Sequence, residues 1–269
     1  MPERFTISVD SVVTESSDVQ TLRFARPLSA EPGQFVMLSD LQSDEKPFSL
    51  SECDKTGFSV TFRRVGAFTN RLFQARQGDL LSIRGAYGSS FFVRRGRALV
   101  VGGGCAAPPL YFLCRELVEL GCDVTVVNGA RKAEDLLFGE RFRSLAQRYL
   151  PAVEEGPTPA TAVDVAADLL AGESFDAVYA GGPELMLLAL MRVTGEVDSQ
   201  FLIERYMKCG MGVCGSCTMD PVGLRACVEG PVLGRDLIAR LAEFGRYRRD
   251  AAGKRVTISQ REAWEACET

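Results

Sequence analysis

The chain has 269 residues, a net charge of -4, 46% hydrophobic and 25% charged residues, and no histidine. That length suits two modest domains or three small ones, and the composition is that of an ordinary globular protein. The charge gives no reason to bind nucleic acid or an anionic membrane, no stretch approaches the ~18 apolar residues that span a bilayer, and the missing imidazoles exclude Ser-His or Cys-His nucleophiles and a Rieske centre.

The start, Met1-Pro2-Glu3-Arg4-Phe5, lacks the apolar core of a signal peptide, so the expected location is the cytoplasm. Residues 1–96 then read as strands. Phe5-Thr6-Ile7-Ser8-Val9, Thr21-Leu22-Arg23-Phe24 and Phe58-Ser59-Val60-Thr61-Phe62 alternate, and turns fall at 31–34, 54–57 and 77–79. This pattern predicts a small antiparallel barrel or sandwich.

At Arg97 the period changes. Ala98-Leu99-Val100-Val101 is a buried strand that runs into Gly102-Gly103-Gly104, and Pro108 to Leu120 reads as a helix with Leu110, Leu113, Leu117 and Leu120 on one face. A second strand follows at 123–127, then a helix from Asp164, a strand from Phe175 to Ala180 and a helix from Glu184 to Arg192. Alternating strands and helices predict a parallel-sheet α/β domain over 97–200. From Phe201 the chain reads as loop, giving a cluster domain at 201–250. A polar tail follows at 251–269, and the basic residues Arg246, Arg248, Arg249, Lys254 and Arg255 read as a solvated or docking surface.

Four of the nine cysteines crowd into this last region. Cys209, Cys214 and Cys217 form a C-x4-C-x2-C run, and Cys227 follows after nine intervening residues, the spacing of a plant-type 2Fe-2S cluster. Such a cluster needs four thiolates, and Gly210, Gly212 and Gly215 permit the tight curl that delivers three of them. A structural zinc with four thiolates is the competing reading, although zinc usually takes two separate C-x2-C knuckles.

Gly102-Gly103-Gly104 ahead of a helix, and Gly181-Gly182-Pro183 ahead of another, place two turns at the carboxyl edge of one parallel sheet. That is where a dinucleotide pyrophosphate binds. Asn128 stands where an acidic residue often grips the ribose, and with Arg131 nearby the sequence leaves NAD against NADP open.

Taken together, these motifs resemble the electron-transfer subunit of the two-subunit, NAD-linked dihydroorotate dehydrogenase, in the ferredoxin reductase superfamily and with an archaeal cast. Lys46-Pro47-Phe48-Ser49 is similar to the flavin motif Arg-Pro-x-Ser, with Lys46 in place of Arg. Phe62-Arg63-Arg64 through Phe68-Thr69 resembles the segment at the FAD diphosphate, with Phe68 where Gly is usual. The glycine turns resemble the nicotinamide nucleotide site, with Ala106 replacing a Gly and Gly181 standing where Cys is usual. Glu204-Arg205-Tyr206-Met207-Lys208-Cys209 through Cys227 resembles the cluster segment most closely.

The resemblance implies an N-terminal β-barrel FAD domain, a Rossmann-like nucleotide domain and a C-terminal cluster loop. It implies FAD, a 2Fe-2S cluster and NAD(H) as cofactors, with Ser49 near flavin N5 and no residue acting as acid or base. It implies an FMN-containing dihydroorotate dehydrogenase catalytic subunit as partner, in a two-plus-two heterotetramer of pyrimidine biosynthesis. Electrons would run from the partner's FMN through the cluster and FAD to NAD. Other readings share these parts. One is the flavin subunit of a bifurcating transhydrogenase, sulfite reductase or hydrogenase; another is a redox-sensing or zinc-stabilised interaction protein that keeps the fold without cofactor.

Overall fold

A computed structural model describes residues 4–42 and 44–258. Positions 259–269 of the expected tail, with Cys267, lie outside the described residues.

The first eight elements are β1 (Arg4–Ser8), β2 (Ser11–Thr14), β3 (Val19–Phe24), β4 (Phe35–Ser39), β5 (Glu45–Cys53), β6 (Phe58–Arg63), α1 (Ala67–Leu72) and β7 (Leu80–Tyr87). Their strands form one antiparallel sheet in the order β1-β7-β4-β5-β6-β3-β2. The edge strands β1 and β2 are consecutive in the chain, and Val9 N–H donates to Asp79 O while Asp10 N–H donates to Arg23 O. The sheet therefore curls into a partly open barrel. Its inward residues are the alternating apolar ones: Leu22, Phe24, Val36, Leu38, Leu50, Phe58 and Val60 are fully buried. Phe24 opposes Phe58 in register, and their rings stack at 5.1 Å.

The second unit runs β8 (Arg97–Gly103), α2 (Ala107–Glu119), β9 (Asp123–Ala130), α3 (Gly139–Leu145), β10 (Arg148–Val153), α4 (Ala162–Gly172), β11 (Ala177–Gly181), α5 (Glu184–Val193) and β12 (Ser199–Leu202). Its strands pair parallel in the order β10-β9-β8-β11-β12. The order reverses between β8 and β11, so the topological switch point lies between the two strands that carry the glycine turns.

Helix α2 joins the two units. Pro108 and Pro109 sit in its first turn, where a missing N–H costs nothing. Leu110, Leu113 and Leu117 are fully buried against the sheet, whereas Leu120 lies past the helix end and is exposed. Phe112, on another face, is buried in the barrel core, where α2 packs against β5. One helix thus serves both cores.

The region read as loop contains β13 (Thr218–Met219), β14 (Leu224–Arg225), β15 (Val232–Gly234), α6 (Arg235–Ile238), β16 (Tyr247–Arg249) and β17 (Arg255–Thr257). β15 returns antiparallel to β12 as the sixth strand of the parallel sheet. The β16–β17 hairpin spans position 250, and two residues of the basic run are tied down: Arg249 and Arg255 donate to Asp220 Oδ2 at 2.7 and 3.1 Å.

Candidate functional site

The cysteine loop occupies 209–217 and closes with Cys227. Gly210, Gly212 and Gly215 have φ of +68°, +78° and +72°, a region side chains rarely adopt. Gly210 also lies tight on the barrel: a Cβ there would stand 2.8 Å from Met37 Cγ on β4. A Cβ at Gly212 would stand 2.7 Å from Val228 Cγ2. The loop is therefore fixed by backbone geometry and by close approach together.

All four thiols are free, with Cys217 and Cys227 buried, Cys209 half-buried and Cys214 exposed. They fall into two linked pairs. Cys214 N–H donates to Cys209 Sγ at 3.5 Å, and Cys217 and Cys227 share a hydrogen bond. Gly212 N–H donates to Cys227 Sγ at 3.1 Å. Burial pushes the Cys214 thiol up, but hydrogen bonds from Ser216 and Cys209 outweigh it and bring it down to about 6. The bond from Cys227 brings Cys217 down to about 7 against burial, and that same bond, with burial, pushes Cys227 up. Among the described residues no three metal-binding groups gather around the position of one ion. Two cysteine pairs supported by backbone N–H donors fit a sulfide-bridged two-iron core, which takes two cysteine sulfurs on each iron.

Beside the loop runs β5 with Lys46, Pro47, Phe48 and Ser49. Pro47 opposes Met37 and Ser49 opposes Phe35. The Lys46 ammonium lies 5.4 Å from the centroid of the Tyr206 ring, which ties this strand to the segment leading into the cysteines. The Phe48 ring packs against Phe62 and Phe68 at 5.8 and 6.1 Å. Phe62 and Phe68 are themselves buried in the barrel core, so their side chains serve the barrel. Arg63 pairs with Asp18 at 3.1 Å, and the Arg64 guanidinium lies 4.9 Å from the Phe73 ring centroid. Thr69 Oγ accepts from Val65 and Gly66 N–H at 2.9 and 3.0 Å, which shapes the turn into α1. A half-buried lysine and serine beside an aromatic wall and a tight helix-entry turn suit a flavin with its phosphates.

Gly102 on β8 and Gly181 on β11 are register partners at the switch point. Gly104 is at φ +56° with open space where a Cβ would project. A Cβ at Gly103 would stand 2.7 Å from Met186 Sδ and 3.1 Å from Pro183 Cδ, so the two glycine turns touch. This backbone cradle at a switch point suits a dinucleotide. Asn128 corrects an expectation: β9 continues to Ala130, and Asn128 is buried within it, donating from Nδ2 to Leu137 O at 2.9 Å. Arg131, just beyond the strand, lies within 4.0 Å of Glu155.

The structure also brings together residues that no sequence motif joins. Arg205 is buried between Glu184, the first residue of α5, and Glu243, at 3.0 and 3.4 Å. Glu184 Oε1 further accepts Gly245 N–H, and Glu243 Oε2 accepts Asp220 N–H. These partners are distant in sequence, so no local pattern reveals them.

Residues 204–239 match the family described as the iron-sulfur cluster binding domain of dihydroorotate dehydrogenase B. The chain is 39% identical over 256 residues to the probable dihydroorotate dehydrogenase B (NAD(+)), electron transfer subunit, of Methanothermobacter thermautotrophicus, covering 93% of this chain and 96% of that one. It is 35% identical over 252 residues to the protein of the same description from Methanocaldococcus jannaschii, covering 92% and 96%. Among solved structures, that of an NADH-dependent reduced ferredoxin-NADP oxidoreductase, an electron-bifurcating flavoprotein, superposes with a TM-score of 0.77 at 26% identity, covering 88% of this chain and 93% of that one. A ferredoxin reductase of carbazole 1,9a-dioxygenase shares the fold with a TM-score of 0.62 at 20% identity, over 71% and 65% of the two chains. By these relationships, and with the ferredoxin reductase-like fold and cysteine loop already described, the chain belongs to the family of dihydroorotate dehydrogenase B electron transfer subunits.

Proposed function

We propose that this chain links an FMN-containing dihydroorotate dehydrogenase catalytic subunit to NAD, as an oxidoreductase subunit of pyrimidine biosynthesis in a two-plus-two assembly. The single observation that carries the reading is the cysteine loop folded onto β4, the strand paired with the flavin motif of β5. When bound, a flavin exchanges electron pairs, as hydride, with a nicotinamide and single electrons with an iron-sulfur cluster.

On this reading Cys209, Cys214, Cys217 and Cys227 hold the cluster, and the N–H groups of Gly212 and Cys214 donate to thiolate sulfur and favour its negative charge. Lys46, Pro47, Phe48, Ser49, Phe62, Arg63, Arg64, Phe68 and Thr69 make the FAD segment. Lys46 places a positive charge, Ser49 offers a hydroxyl to the flavin ring, and Phe62 and Phe68 contribute backbone and packing. Gly102, Gly103 and Gly104 receive the dinucleotide phosphates, and Gly181, Gly182 and Pro183 form the opposite turn. No side chain of this chain moves a proton, and dihydroorotate binds the partner. The working compartment is the cytoplasm, where thiols persist; every described cysteine is free. Among the described residues, no helix is long and apolar enough to cross a membrane.

The 26% identity to an electron-bifurcating reductase supports a second reading, as the flavin subunit of another complex. The test is reconstitution. With its co-purifying catalytic subunit the chain is expected to support dihydroorotate-dependent NAD reduction and, alone, to oxidise no dihydroorotate. Dihydroorotate oxidation by the isolated chain, or co-purification with a different oxidoreductase, contradicts the first reading.

A further inference from the structure

Two of the positions at which the chain departs from the motifs it resembles, Ala106 and Gly181, occupy one space. Gly181 ends β11 beside Gly102, and a Cβ built on it would stand 3.0 Å from Ala106 Cβ, 3.4 Å from Leu202 Cβ and 3.5 Å from Leu110 Cδ1. That contact with Ala106 is tighter than packed carbons ordinarily take, and the Leu202 and Leu110 contacts close two further sides. Ala106 is buried and ends a 3-10 turn that enters α2, so its methyl has no free direction in which to retreat. The neighbouring glycines are closely approached as well. Cβ atoms at Gly103 and Gly182 would each come within 2.7 Å of the Met186 thioether, and a Cβ at Gly182 within 3.3 Å of the Gly103 Cα.

We infer that Ala106 is a positioning residue for the bound dinucleotide. Its methyl takes the volume that a side chain at 181 would otherwise fill. The floor of the crevice at the end of β11 is therefore bare main chain, shaped from the β8 side. The inference rests on the proposal that the glycine turns hold the nicotinamide dinucleotide. It makes the two positions a coupled pair: a side chain is accommodated at 106 or at 181, and not at both.

The pair is tested in the complex of this chain with its catalytic subunit by titrating NADH into four forms: wild type, Gly181→Cys, Ala106→Gly and the double variant. Overpacking is expected to weaken NADH binding by Gly181→Cys about tenfold and to lower its melting temperature. Adding Ala106→Gly should bring affinity back to within about threefold of wild type and recover the melting temperature. Gly181→Ala, with a smaller side chain but the same Cβ contact, should lose affinity in the same direction and be rescued by the same change. Wild-type affinity in Gly181→Cys, or a double variant no better than that single variant, overturns the pairing while leaving the nucleotide site standing. A wild type that binds no NADH overturns the nucleotide reading and the pair's role together.

Discussion

Gly210 in the cysteine loop and Met37 in the barrel are in direct contact: a Cβ on Gly210 would stand 2.8 Å from Met37 Cγ and 3.0 Å from its Sδ. Met37 is fully buried and opposes Pro47 of the flavin motif, so the cysteine loop is seated one strand away from that motif. Gly210→Ala meets both a positive φ and an occupied space and is expected to cost ~1–3 kcal/mol and to reduce iron retained per chain. Gly78→Ala is the control. It shares a positive φ of +93° but has nothing within 4 Å, and should cost about 1 kcal/mol with iron content unchanged. Denaturant unfolding and iron analysis of the two variants separate the effects; equal iron loss in both would remove the Met37 contact from the account.

Arg205 holds the cluster segment to the start of α5. Its guanidinium is buried with Glu184 and Glu243, and both carboxylates also accept backbone N–H groups. Arg205→Ala strands buried carboxylate charge and is expected to cost ~3–5 kcal/mol. The same unfolding measurement on Arg205→Lys should show partial recovery, because lysine keeps the charge and loses the planar fork. A neutral Arg205→Ala would mean the triad contributes nothing to the seating of this segment.

Phe112 is the apolar bridge between the units. Its burial in the barrel core from a helix of the nucleotide domain makes Phe112→Ala a change in both, with an expected loss of ~3–5 kcal/mol. Scanning calorimetry should show the barrel and the α/β unit destabilised together. Loss confined to one unit would contradict the joint role of α2.

Asp54 closes the β5–β6 turn that follows the flavin strand. The Thr56 hydroxyl and N–H, with a smaller contribution from Gly57 N–H, outweigh burial and hold its carboxyl below the usual carboxylate range. A depressed folded-state pKa contributes stability above the unfolded value and loses it as pH falls through the folded one. Asp54→Ala should therefore cost about 1 kcal/mol at neutral pH, with the gap from wild type narrowing below about pH 4. A gap that stays constant down to pH 2 would assign the turn's stability to something other than the ionised carboxylate.

What the sequence made legible was what short-range chemistry encodes. The C-x4-C-x2-C spacing, the glycine turns and the leucine stripe of α2 each depend on neighbours within a few residues; Gly210, Gly212 and Gly215 take positive φ, and Leu110, Leu113 and Leu117 are buried while Leu120 is not. β10 is not evident from sequence because Pro151 argues against a strand; the strand lies on the sheet edge, where a missing N–H is tolerated. β15 has no local signal because three residues without alternation acquire strand geometry only by pairing with β12. The run Val126-Val127-Asn128-Gly129 looks like a strand end, whereas the pairing of β9 with β8 and β10 carries the strand past Asn128. The Arg205 triad and the contact between Ala106 and Gly181 join residues far apart in the chain and have no sequence signal of their own.

The central claim is that four thiolates near residue 217 hold a two-iron, sulfide-bridged core. The most direct measurement is iron and acid-labile sulfide in protein purified without oxygen, with the paramagnetic resonance spectrum of the dithionite-reduced sample. The account expects about two irons and two sulfides per chain and a reduced-cluster signal that is lost or altered in Cys217→Ala. About one zinc per chain, no labile sulfide and no signal would contradict it.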